Sequence, residues 1–132
     1  GKSWSYMTRQ ELFLELIDAL SNIPGLTIEP IVFVEEARAL DEAYPALEDL
    51  TPVVVAIIRA MKDLAAGRVS SSSLSLKLEG ARSYHFQKNR SQGEKAELRI
   101  VYRILDNGAL YILAFGNRWR PEAIYRRAAK HM

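Results

Sequence analysis

Apolar residues recur along this chain first at helical and then at strand spacing, and the change of period falls near its middle. From Thr8 to Leu20 the repeat is helical: Leu12, Leu16, Ala19 and Leu20 share one stripe, Phe13 and Ile17 widen it, and Glu11, Glu15 and Asp18 face outward. Thr8 with Glu11 three residues on is a capping-box signature, and Pro24-Gly25 ends the helix. Leu26 to Val34, rich in Ile, Val and Phe, predicts a strand in which Pro30 marks an edge or a bulge. Glu35 to Tyr44 predicts a second helix with Ala37, Leu40 and Tyr44 inward, stopped by Pro45. A third helix is expected from Thr51, with Pro52 at its first position, through Val55, Ile58, Met61 and Leu64 to a cap at Gly67.

Beyond Gly67 the pattern changes. Arg68 to Ser75 is serine-rich and predicts a surface loop, and Leu74 to Leu78 alternates but meets Glu79-Gly80 at once, so it reads as extended chain. Ser83 to Gln87 predicts a strand, followed by a polar connection over 88–95. Two β-branched and aromatic runs, Leu98 to Leu105 and Ala109 to Gly116, flank Asn107-Gly108, a pair that tolerates the positive φ angles of a type I′ hairpin turn. Pro121 to Lys130 predicts a short basic helix. The order is helix, strand, two helices, three antiparallel strands and a helix, which is an α+β arrangement of helices packed on a small, mainly antiparallel, twisted sheet.

Composition narrows the chemistry. At 132 residues the chain has room for one core, with residues 1–25 read as an N-terminal helical extension and 26–132 as the domain proper. The absence of cysteine excludes disulfides and thiolate chemistry, and two distant histidines make a poor metal set, so no metal and no cofactor is expected. No run of 18 apolar residues occurs and Gly1 to Met7 lacks the apolar stretch of a signal peptide, so a cytoplasmic protein without a membrane partner is expected. The net charge of +2 conceals a polarity: residues 1–66 carry 5 Lys+Arg against 11 Asp+Glu, and residues 67–132 carry 13 against 5. The halves therefore stand at −6 and +8, and four arginines of the second, Arg99, Arg103, Arg118 and Arg120, lie on or beside the hairpin. Clustered guanidiniums bond phosphate oxygens bidentately, which points to a nucleic-acid ligand.

These residues in this order resemble a family. Lys77-Leu78-Glu79-Gly80, Tyr84-His85-Phe86, Leu98-Arg99-Ile100-Val101-Tyr102, Gly116-Asn117-Arg118 and Tyr125 are similar to elements of the RelE/ParE superfamily of bacterial toxin–antitoxin toxins. The likeness covers about residues 28–132, and it lies in order and spacing rather than in one motif. It implies a RelE-like fold carrying an extra N-terminal helix. It also implies a ribosome-dependent endoribonuclease that cuts mRNA without a metal, the ribose 2′-hydroxyl attacking the adjacent phosphate to leave a cyclic phosphate. The implied partners are a cognate antitoxin, the ribosome and mRNA, with a homodimer possible.

The resemblance assigns Arg99 and Arg118 to the scissile phosphate and Tyr125 to proton transfer or base stacking. Where RelE has a Tyr-Lys-x-Lys pattern this chain has Tyr84-His85-Phe86-Gln87, so His85, which titrates near neutrality, is the candidate base or acid. Lys77, Lys88, Arg90, Lys95, Arg103, Trp119 and Arg120 are the candidate RNA contacts, and Arg99, Arg103, Arg118 and Arg120 are expected to form one basic face. Plainer readings stand beside these. Arg99 also fits a solvent-facing cross-strand residue, Tyr125 a packing aromatic, His85 a surface residue and Trp119 an anchor for the last helix. Two other functions remain open: a ParE-like gyrase inhibitor, and a catalytically inactive RNA- or antitoxin-binding relative.

Overall fold

In the computed structural model, which describes residues 7–89 and 95–132, the first helix α1 (Arg9–Ser21) opens with its capping box formed. Thr8 Oγ1 accepts the Glu11 N–H at 3.1 Å and the Thr8 N–H reaches Glu11 Oε1 at 3.2 Å, so two of the helix's unpaired donors are satisfied. Leu12, Leu16 and Leu20 are buried and join the core shared with α3 (Leu47–Ala65), so the N-terminal segment belongs to the same packing unit as the rest. Ile17 departs from the expected stripe and is exposed.

Strand β1 is only Leu26–Thr27, not Leu26 to Val34, and α2 begins at Pro30 and runs to Ala43. Proline at the first position of a helix lacks an N–H that would have no partner there and already holds a helical φ. That advantage, with Val32 buried and Phe33 packed against Phe115 of the sheet in helical form, overrides the β propensity of the run. The earlier start rotates the buried face to Val32, Glu36, Ala39, Leu40 and Ala43, leaving Ala37 half-buried. Helix α3 likewise starts at Leu47 rather than Thr51, so Pro52 falls inside it, and Leu50, Val53, Val54, Ile57, Met61 and Leu64 line the core.

The sheet has five strands in the order β1-β5-β4-β3-β2, where β2 is Ser72–Ser73, β3 Arg82–Phe86, β4 Leu98–Ile104 and β5 Leu110–Asn117. Strand β1 pairs parallel with β5 and the others pair antiparallel, so the sheet is mixed and larger than the predicted meander. The hairpin closes differently from a type I′ turn. The Gly108 N–H bonds the Leu105 carbonyl at 2.8 Å with Gly108 at φ +86°, while Asn107 stays outside the left-handed region. This is a three-residue loop of the kind that ends in a left-handed glycine.

A bulge between Val101 and Tyr102, where Leu113 is the extra residue of β5, lets Leu113 and Ala114 both face the second, smaller core. That core lies under α4 (Ile124–Ala129), which is shorter than the predicted Pro121 to Lys130, and beside a 3₁₀ turn at Leu76–Leu78. Helices α1 to α3 cover one face of the sheet and α4 part of the other, giving an α+β fold of four helices on a five-stranded sheet. Among the described residues no helix is long and apolar enough to cross a membrane.

A buried ion pair ties the two helical layers together around β5. Glu36 on α2 meets Arg127 on α4, with Arg127 Nε at 3.0 Å from Oε2 and Nη2 at 3.0 Å from Oε1. Glu36 Oε1 also accepts the Phe115 N–H at 2.9 Å, occupying the edge of β5 that β1 leaves bare after Tyr111. Burial pushes the Glu36 carboxyl above its usual range, and the Arg127 fork and the Phe115 N–H pull against that shift.

Candidate active site on the α4 face of the sheet

Strand alternation and register bring the central residues together. His85 on β3 stands opposite Arg99 on β4, and Arg99 opposite Gly116 on β5, so the three form one row across the sheet. Gly116, at φ +131°, contributes no side chain to that row, and a Cβ there would meet Leu40 Cδ2 at 3.2 Å. The position therefore requires glycine for both backbone and packing reasons.

Arg99 is only 4% exposed. One of its guanidinium nitrogens, Nη1, donates to the Ala96 carbonyl and, at 3.0 Å, to the Leu98 carbonyl, while its buried Nε has no hydrogen-bond partner. Arg118 follows the end of β5. Its guanidinium carbon lies 4.2 Å from the Trp119 ring centroid and 5.9 Å from that of Tyr125, and its buried Nε is unpartnered as well. Neither arginine makes an ion pair among the described residues. Two buried donors without acceptors, on cations that have no ion-pair partner among the described residues, are features that a bound anion would complete.

The other two predicted catalytic residues border it. Partial burial, then the charges of Arg99 and Arg118, lower the His85 pKa from its ordinary 6.5, so the imidazole is neutral at pH 7. Neutral imidazole accepts a proton. The Tyr125 hydroxyl lies 3.0 Å from Ser83 Oγ, and Ser83 is on β3, two residues before His85 and on the same face. The hydroxyl is therefore tethered to the strand that carries the histidine.

Asn117 does the positioning that pattern reading missed. Buried at the end of β5, it donates from Nδ2 to the Tyr44 hydroxyl at 2.9 Å, while its Oδ1 accepts the N–H groups of Trp119 and Arg120, each at 2.8 Å. This turns the chain sharply, with Arg118 and Trp119 directed to the α4 face. An Asx turn after a strand is the signal that could have found it.

The wider basic face is not formed as expected. The Arg120 guanidinium lies 5.5 Å from the Tyr44 ring centroid, away from the Arg99 row, because the Asn117 turn separates it from Arg118. Arg103 shares the face of Arg99 but stands near the other end of β4, opposite Tyr111. Trp119 is 62% exposed and covers Arg118. Lys77 is exposed in the 3₁₀ turn and shares a shallow groove with Tyr125, Lys88 lies half-buried just past β3, and Lys95 is exposed before β4. Arg90 lies outside the described residues. Among the described residues no three His, Asp or Glu side chains gather as a metal set. Comparison with protein-family models, with curated proteins and with solved structures finds no match to this chain.

Proposed function

We propose that this chain is the toxin of a toxin–antitoxin module, a RelE-like endoribonuclease that cuts mRNA on the ribosome with the strand's own 2′-hydroxyl as nucleophile. The observation that carries the reading is the pair Arg99 and Arg118, two cations with unsatisfied buried donors beside a neutral histidine. In this scheme His85 takes the 2′ proton as the 2′ oxygen attacks phosphorus. The two guanidiniums bear the extra negative charge of the five-coordinate phosphorus. The bond to the 5′ oxygen then breaks, and that oxygen takes a proton from the Tyr125 hydroxyl, leaving a 2′,3′-cyclic phosphate and a 5′-hydroxyl end. A cognate antitoxin and the ribosome are the partners of this reading.

The test is induction of the chain in bacteria with translation, mRNA ends and plasmid supercoiling followed together. Translation should fail first, with new mRNA 5′-hydroxyl ends, and Arg118→Ala should abolish both. Loss of supercoiling with intact mRNA would replace this reading with gyrase inhibition.

A further inference from the structure

We propose that the cavity between α3 and the free edge of β3 is a nucleobase subsite that selects guanine next to the phosphate held by Arg99 and Arg118; this rests on the anion-site reading above. The cavity has a volume of about 250 Å³, and two of its lining residues also belong to the anion site. His85 lines it, and so does Ala96, whose carbonyl holds the Arg99 guanidinium. The cavity opens on the α3 face of the sheet and the arginines lie on the α4 face, so a base in the cavity and its phosphate on the arginines would meet around the free edge of β3, where the Ala96 carbonyl joins the two.

The remaining walls suit a flat, polar-edged ring. Tyr84 and Phe86 line one side, their rings stacked at 5.6 Å with 10° between planes. Arg59 and Asp63 stand opposite on α3, four residues apart and so on one face of the helix. An arginine fork matches the two acceptors of guanine, O6 and N7, and a carboxylate matches its N1–H and N2–H donors. Asp63 Oδ1 also lies 3.4 Å from Arg68 Nη1. Adenine and uracil offer an arginine no such pair of adjacent acceptors, and cytosine, which has one in O2 and N3, presents the carboxylate with a single donor group, N4–H2, where guanine presents two. Arg59 is exposed on its outer side, so it can change without loss of core packing.

The experiment titrates the full chain with inorganic phosphate and with the 3′-monophosphates of guanosine, adenosine, cytidine and uridine. Binding is read by calorimetry and by the imidazole resonances of His85. Phosphate alone should move the His85 resonances, and the guanosine nucleotide should bind at least about tenfold more tightly than the other three. Arg59→Ala and Arg59→Lys should both erase that preference while phosphate still moves His85, because lysine keeps the charge but not the fork. Equal affinity for all four nucleotides and phosphate would overturn the base subsite and leave the anion site standing. A guanine preference without any response to phosphate would instead overturn the anion-site reading, and no binding of either kind would overturn both.

Discussion

His85 and Arg99 face each other across neighbouring strands, and the guanidinium makes the imidazole harder to protonate. Arg118 adds to the effect, although burial is its largest cause. The His85 pKa measured by NMR should therefore lie below 6.5, and Arg99→Gln or Arg118→Gln should each raise it. Because the folded state holds the proton less tightly than the unfolded chain, stability from this group is complete above pH 6.5 and declines as pH falls from there towards the folded pKa. A histidine titrating at or above 6.5 would contradict this electrostatic picture.

Arg118→Ala should lower cleavage about 10²–10³-fold, the usual effect of removing one donor to a developing oxyanion. Arg118 is partly exposed and anchored through its backbone, its N–H reaching the Glu97 carbonyl at 2.9 Å, so the variant should melt within a few degrees of the parent. Primer extension on mRNA from induced cells, with thermal melts of the purified variants, separates chemistry from folding. Unchanged cleavage would remove Arg118 from the reaction.

Glu36→Ala should cost about 3–5 kcal/mol, since it strands a buried guanidinium with a single remaining acceptor, the Glu122 carbonyl. Replacing both partners, Glu36→Met with Arg127→Leu, should recover most of that loss but not all. The Phe115 N–H would still lack its acceptor, a deficit of about 1–3 kcal/mol. Urea denaturation of Glu36→Met, of Arg127→Leu and of the double variant measures the coupling. Additive losses would show that the pair does not act as a unit.

Removal of residues 1–21 should leave an unfolded or aggregating protein rather than a more toxic one. Leu12, Leu16 and Leu20 are almost wholly buried, and at about 1.5–3 kcal/mol each their loss approaches the 5–15 kcal/mol by which a whole domain is stable. Circular dichroism and size-exclusion chromatography of the truncated chain decide it. A folded and more toxic truncation would assign α1 a regulatory role instead.

Local signals made α1 and the long hairpin legible, because a capping box, a helical stripe and two alternating runs around a glycine all act within a few residues. Pro30 misled because a proline before Ile-Val-Phe-Val suits both an edge strand and a helix start, and only packing against β5 decides between them. The candidate site was legible in its members but not in its limits. Alternation places Arg99 and Arg103 on one face but says nothing of how the chain turns after Asn117, which sends Arg118 one way and Arg120 the other. Glu36 gave no signal at all. A glutamate in a helix is ordinarily solvated, and its partner lies 91 residues away on an element whose position depends on the finished sheet.

The Glu36 carboxylate on the Phe115 N–H has a meaning for the life of this protein among its own copies. Strand β5 is the longest in the sheet and nearly all of it is buried, the kind of segment that recruits a matching strand from another molecule whenever its flank is bare. One short parallel strand guards the first part of that flank, and beyond it a side chain on a helix takes the neighbour's place. Loosening the ion pair would therefore leave the second part of that flank without its hydrogen-bond partner at Phe115, the condition under which an edge accepts a foreign strand.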